Sequence, residues 1–341
     1  MDDGLQLGGF HLSDKTKLGS IQNILEDHRL DALVVGGPFN VRYVSGAWVP
    51  MAHAQPDRPM LAVVHRSGRR ALIVPSMWEA AARECAEVDA FSVVPADCDP
   101  LRGAAFVLTQ TLPARGLVGI DGAAMTVAVA TALSEALVHA GHTVVDCSDA
   151  LRTSRMTKSP VEQEVLRELA LKTDHAINGY FHHLIANRAS SALVMSEQLR
   201  IHSLERDIEL SGYNACSRAK VGAGTRKFWP YAPNYDFASM DIRKYPNDTI
   251  VAEVSNTDRG YWSNGIRMAV NAKAMPHEME HAYDGINKLR NFLLQQLTPG
   301  RICSEIYESA ISFAAREAIS VHRDMPLGFS IGVAPMEAPF I

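Results

Sequence analysis

The stretch Ile250-Val-Ala-Glu-Val-Ser-Asn-Thr-Asp-Arg-Gly-Tyr-Trp-Ser-Asn-Gly-Ile-Arg267 decides how this chain folds. Ile250 to Val254 is rich in β-branched residues, and Tyr261 to Met268 mixes aromatic and aliphatic residues with polar ones, so both read as strands. Asn256-Thr-Asp-Arg-Gly260 between them has the composition of a hairpin turn, with Gly260 free to take a positive φ. Two polar residues stand at chosen points: Glu253 near the end of the first strand and Asn264 in the middle of the second. In a paired hairpin such side chains can face each other across the ladder.

This hairpin resembles the first metal-binding hairpin of the pita-bread family, which includes methionine aminopeptidase, aminopeptidase P, prolidase and creatinase. The family carries an Asp on the first strand, a Gly-Tyr near the turn, and Ser-Asp-x-x-Arg on the second strand. Glu253 and Asn264 keep the eleven-residue spacing of the two Asp, and Gly260-Tyr261 and Arg267 fall where the family has them. The ligand positions themselves have changed, from Asp to Glu at 253 and from Asp to Asn at 264. The resemblance implies an α/β N-terminal domain followed by an α+β pita-bread C-terminal domain. The expected bounds are 1–155 and 156–341, the second domain lacking its final strands.

Upstream, Leu18, Ile21, Ile24 and Leu25 are spaced for a helix, and Asp31-Ala-Leu-Val-Val-Gly36 is a buried strand. Met60 to His65, Arg70 to Val74, Leu117 to Asp121 and Gly141 to Asp146 read as further strands. Ser76 reads as the N-cap of a helix through Glu84, and Met125 to Ala140 is helical. Strands alternating with helices make an α/β layer domain. Asn40-x-x-Tyr43-x-x-Gly46 reads as a capped turn with a half-buried ring. It is also similar to a segment of the creatinase, prolidase and aminopeptidase P N-terminal domain, which in a dimer can reach the partner's active site. Ser159-Pro-Val-Glu162 is a capping box with Pro at the first helical position, opening a helix to about Ile185.

Downstream, Val221-Gly-Ala-Gly-Thr225 reads as a small-residue loop that fits no phosphate-binding pattern. Met279, Ala282, Ile286, Leu289, Leu293 and Leu297 form the apolar stripe of a helix over Glu278 to Leu297. Gly328-Phe-Ser-Ile-Gly332 and Met336-Glu-Ala-Pro339 resemble the family's Gly-His-Gly-Ile-Gly and His-Glu-x-Pro. Phe329 and Met336 stand where the family has histidines, while Glu337 and Pro339 are kept. A further family histidine falls about seventeen residues before the first Asp, which is Asp236 here. No histidine occurs between His202 and His277.

These substitutions direct the functional reading. A two-metal hydrolase activates a hydroxide between ions held by carboxylates and imidazoles. Asn264 offers only a neutral carbonyl oxygen and Phe329 offers nothing, so no metal is expected. Creatinase is the family member that keeps the fold without metal and hydrolyses a small amidino compound. The resemblance therefore implies a metal-independent enzyme acting on a small nitrogen-containing acid, by C–N hydrolysis or a related elimination. Glu253, Asp236 and Glu337 are the candidate proton carriers. Arg267 is placed to hold a substrate carboxylate or, equally, to form a structural ion pair. Asn264, Phe329, Met336, Tyr231 and Trp262 complete the expected pocket. Two alternatives stay open: an Xaa-Pro metallopeptidase using Mn or Zn with unusual ligands, and a catalytically inactive binding or dimerisation homologue.

Composition bounds the rest. The 341 residues are 47% hydrophobic and 21% charged, as in a soluble globular protein of two domains. A formal net charge of -5 gives no electrostatic reason to expect nucleic acid or an anionic membrane. The sequence has no apolar run long enough for a transmembrane helix, and Met1-Asp-Asp-Gly-Leu-Gln lacks signal-peptide character. Five scattered cysteines without a CxxC pair suit reduced thiols in the cytoplasm. The expected partner is a small-molecule substrate, and the resemblance implies a homodimer.

Overall fold

A computed structural model of the chain describes residues 15–186, 197–202, 218–223, 249–258, 260–270, 273–323 and 325–341. The packing divides them into two units. The first comprises the described residues through Arg167 together with Thr257–Trp262, and the second holds the remainder.

The first unit is built on a six-stranded sheet ordered β4-β3-β2-β1-β5-β6. Its strands are β1 (Ala32–Val35), β2 (Leu61–His65), β3 (Arg70–Pro75), β4 (Ala90–Val94), β5 (Leu117–Ile120) and β6 (Thr143–Asp146). Only β2 runs against its neighbours. The strands are short apolar runs because both faces are covered. Val34, Ile73 and Ile120 pack against Leu108 of α4 (Pro100–Thr111) and Leu133 and Leu137 of α5 (Val127–His139). The alternate residues Leu33 and Val35 are equally buried on the other face, where α2 (Pro38–Ser45) lies over β1, β2 and β3. Helices α1 (Lys15–Asp27), α3 (Glu79–Cys85) and α6 (Ser148–Met156) complete the layer set.

The second unit contains a three-stranded sheet, β7-β8-β9, in which β7 (Arg218–Ala223) pairs antiparallel to β8 (Thr249–Asp258), and β9 (Tyr261–Val270) lies on the other side. Helix α7 (Pro160–Ala186) supplies its partner face. Helices α8 (His277–Gln296) and α9 (Cys303–Arg316) pack through Leu289, Ala310 and Ala314, with Phe292 stacked on Phe313 at 4.3 Å. A small ladder joins β10 (Phe329–Ser330) to β11 (Glu337–Phe340).

Five sequence expectations are corrected, the first being that Asn256 to Asp258 continue β8 rather than belonging to the hairpin turn. Ser76 is not a helix N-cap: it opens a 3-10 turn, Ser76–Trp78, and makes no cap hydrogen bond before α3. Asn40 and Tyr43 belong to a helix rather than a turn, because Pro38 starts α2 and Gly46 ends it in the left-handed region. Tyr43 is fully buried there. Val221 to Ala223 is strand, not loop, since its backbone pairs with Ile250 to Ala252. Along α8 the apolar stripe is only partly used: Leu289 is 6% exposed but Ile286 is 49% exposed, since α9 covers α8 around Leu289.

Two titratable groups of the first unit, His53 half-buried and Asp121 buried, oppose each other in pH. His53 stacks on Phe39 at 4.6 Å and on Trp48 at 5.3 Å, and burial pushes its pKa down to about 4. Asp121 accepts from Asn40 Nδ2 at 2.6 Å, and burial pushes it up to about 6 despite that bond and Arg155. Unfolding therefore takes up a proton at His53 and releases one at Asp121 between those values. His53 removes stability as pH falls from about 6.5 to 4, while Asp121 restores it as pH falls through about 6, each by about 3 kcal/mol. The wild-type denaturation midpoint is expected to be nearly flat between about pH 4 and 6. Asp121→Asn should expose an acid-labile limb and His53→Phe an acid-stabilised one, read by urea denaturation across that range.

Candidate active site

The hairpin starts from its tip. Gly260 has φ 77, as its turn position requires. A Cβ there would meet Nε of Arg42 at 2.5 Å, so only glycine lets the turn close over that guanidinium. The next residue, Tyr261, is 1% exposed and donates its hydroxyl to Glu162 Oε1 at 3.1 Å. Glu162 Oε2 accepts from Ser159 N at 3.0 Å and Ser159 Oγ accepts from Glu162 N at 3.1 Å, which closes the expected capping box of α7. Arg42 lies over the Tyr261 ring at 5.4 Å and donates to the Gly46 carbonyl at 2.6 Å. Burial pushes the Tyr261 phenol up and Glu162 adds to the shift, so the phenol stays protonated. Burial lowers the Arg42 pKa, against the support of Tyr261, Cys85, Glu87 and Glu162. Trp262, 3% exposed, joins Trp48 and meets Phe39 edge-on at 6.2 Å.

Beyond the tip, side-chain alternation sorts the strands by face. Thr173 on α7 shares a 2.6 Å hydrogen bond with Ser263 Oγ and accepts from Asn256 Nδ2 at 3.3 Å. A Cβ on Gly265 would meet Ile177 and Thr173 at under 3 Å, and Val254 lies beside it. Arg267, on the same parity, is ion-paired with Asp174 of α7. Residues 254 and 256 of β8 and 263, 265 and 267 of β9 therefore face α7. Glu253 and Asn264 alternate with them and share the opposite face. Glu253 is half-buried, and the Oδ1 of Asn264 is buried without a hydrogen-bond partner among the described residues.

The structure thus joins Glu253 and Asn264 and separates Arg267 from them: its guanidinium is the structural ion pair rather than a clamp on that face. Phe329 and Glu337 sit together on the β10–β11 ladder, where Phe329 pairs with Phe340 and Ser330 with Glu337. Glu337 is 9% exposed and Met336 42% exposed. Tyr231 and Asp236 lie outside the described residues. The Thr173, Ser263 and Asn256 network escaped sequence reading. Its only signal is the run of small polar residues on strands that the apolar pattern makes buried.

The donor chemistry tests the metal expectation. A dinuclear centre needs several anionic oxygens and imidazoles within reach of two ions. Glu253 brings one carboxylate, Asn264 a neutral oxygen, Phe329 none, and Met336 a thioether suited to softer ions. Among the described residues no group of three His, Cys, Asp or Glu side chains is arranged to hold an ion. Among the described residues, Glu253, Asn264, Phe329 and Met336 do not supply the carboxylates and imidazoles of the two-metal set that the resemblance implies.

Comparison with known proteins places the fold. Residues 17–157 match the model of the Creatinase/Prolidase N-terminal domain. The prolidase from Pyrococcus horikoshii OT3 superposes with a TM-score of 0.72 at 16% identity, over 95% of this chain and 84% of that one. The Xaa-Pro dipeptidase from Bacillus anthracis gives 0.72 at 14% identity, over 95% and 84%. The N-terminal domain of the FACT complex subunit SPT16 from chickpea gives 0.66 at 16%, over 95% and 82%. No curated protein matches the sequence. The chain has the fold of this class: a creatinase/prolidase-type α/β N-terminal domain followed by a pita-bread α+β domain. Among the described residues no helix is long and apolar enough to cross a membrane.

Proposed function

We propose that this chain is a hydrolase that cleaves a C–N bond in a small amino-acid-derived amide, with Xaa-Pro dipeptides the first class to assay. The substrate class rests on the likeness to proteins named prolidase and Xaa-Pro dipeptidase. The reaction rests on one observation: Glu253 and Asn264 share the sheet face opposite α7, with Asn264 Oδ1 buried and, among the described residues, unpartnered. A buried acceptor without a donor costs about 1–3 kcal/mol, which a substrate N–H would recover. Glu253 takes a proton from the attacking water and returns it to the leaving nitrogen, which in an Xaa-Pro bond carries no hydrogen of its own. The hydroxyl adds to the acyl carbon as the C–N bond breaks. Phe329 on β10, Met336 and Glu337 at the start of β11 belong to the second wall of this reading. The protein acts in the cytoplasm as a homodimer.

The donor set favours a reaction without bound metal, and metal content is the test. After incubation with Mn, Co and Zn, plasma mass spectrometry is expected to find well under one ion per chain. About two ions per chain, with turnover that follows their removal and return, would replace this mechanism by the metallopeptidase one. Absence of turnover across Xaa-Pro, amidino and amide panels would leave a binding role.

A further inference from the structure

The first unit carries a cavity of about 260 Å³ that the hydrolytic site does not use. Its wall includes Gly37 and Pro38 after β1, Met125 and Val129 after β5, and Arg58 and Met60 before β2. Strands β1 and β5 are parallel neighbours. The chain leaves β1 into α2 on one face of the sheet and leaves β5 toward α5 on the other. The cavity therefore lies outside the carboxyl ends of two adjacent strands at the point where their connections diverge. Open α/β sheets place ligands at that point because the diverging connections leave a crevice there.

The approach of the two loops is built in. A Cβ on Gly36 would meet Met125 at 2.5 Å, and one on Gly37, at φ +76, would meet the Ala124 carbonyl at 2.6 Å. The wall is mainly apolar, and Arg58 is its only charged residue among the described residues. Among the described residues the Arg58 guanidinium has one polar contact, the Met77 thioether at 3.9 Å. At the start of α5 the Thr126 hydroxyl accepts from Val129 N at 3.3 Å, which takes up one first-turn amide, and Arg58 is the cationic side chain on the wall. A guanidinium beside apolar walls suits a planar carboxylate on a short hydrocarbon body.

We propose that this cavity binds a small carboxylic acid with a branched or cyclic apolar body, its carboxylate on Arg58 and its hydrocarbon against Met60, Met125 and Val129. The proposal does not depend on the hydrolytic reading. It is tested on the whole chain with a matched pair of probes, 3-methylbutanoate and its neutral amide, by calorimetry and saturation-transfer NMR. The acid should bind saturably and at least 10-fold tighter than the amide. In Arg58→Gln that preference should vanish while the thermal midpoint stays, since Arg58 is a half-buried wall residue and not part of the core. Arg58→Lys should recover part of it. Equal binding of acid and amide, no saturable binding of either, or an unchanged preference in Arg58→Gln would each overturn the proposal.

Discussion

Glu253→Gln is expected to lower kcat on the best Xaa-Pro or amide substrate by about 10²–10⁴-fold while leaving ligand affinity within about 3-fold. The exchange keeps the shape of the side chain and one accepting oxygen, turns the other oxygen into a donating NH2, and removes the negative charge and the ability to take a proton at neutral pH. Glu253 faces away from α7, so the Thr173–Ser263–Asn256 packing is untouched and the fold should hold. Steady-state kinetics and calorimetry on the same preparation separate the outcomes. A loss carried by KM alone would make Glu253 a binding group, and unchanged kcat would remove it from the reaction.

The largest expected effect on stability comes from Gly260→Ala, at about 3 kcal/mol or more. Two penalties act together. An alanine in the left-handed region costs about 1–2 kcal/mol. The added Cβ would also lie 2.5 Å from Arg42 Nε and 2.8 Å from its Cδ. Arg42 is 4% exposed and already holds the Gly46 carbonyl, so it has little room to yield. If it does move, the Tyr261 ring loses its cation and the turn loosens. Urea denaturation followed by tryptophan fluorescence reads this directly, because Trp48 and Trp262 are neighbours in the same cluster. A shift below about 1 kcal/mol would show that the turn adjusts freely.

Much of the fold was legible from pattern alone. The hairpin, its positive-φ glycine, the capping box Ser159–Glu162 and the strands at 32, 61, 70, 117 and 143 each announce themselves through local rules. These features depend on residues within a few positions of one another. The α2 helix was harder to read: Asn40 suggests a turn until its amide is seen bonded to Asp121, which is 81 residues away. The site was legible in part. Alternation from Glu253 and Asn264 places them on one face, but only the packing of Ser263 and Gly265 on α7 says which face that is. Arg267 remained ambiguous because its spacing fits both a clamp and an ion pair. Asp174, its actual partner, lies on a helix 93 residues earlier, where no local pattern points.

The bond between Tyr261 and Glu162 has a consequence for how the protein is made. All six strands of the first sheet and the start of α7 have been synthesised once the ribosome has passed Glu162. Their unit still lacks Tyr261 and Trp262, which arrive about 100 residues later. At usual elongation rates that is a wait of about 5–20 s. During it, Arg42, Glu162 and the face of Trp48 must either stay hydrated or be shielded by another molecule. The capping box can form at once, since its partners are three residues apart, but the half of Glu162 meant for Tyr261 is held open. Nascent chains stalled before residue 257 should therefore be more vulnerable to protease than chains stalled well after 262, with the difference appearing abruptly as the hairpin tip emerges.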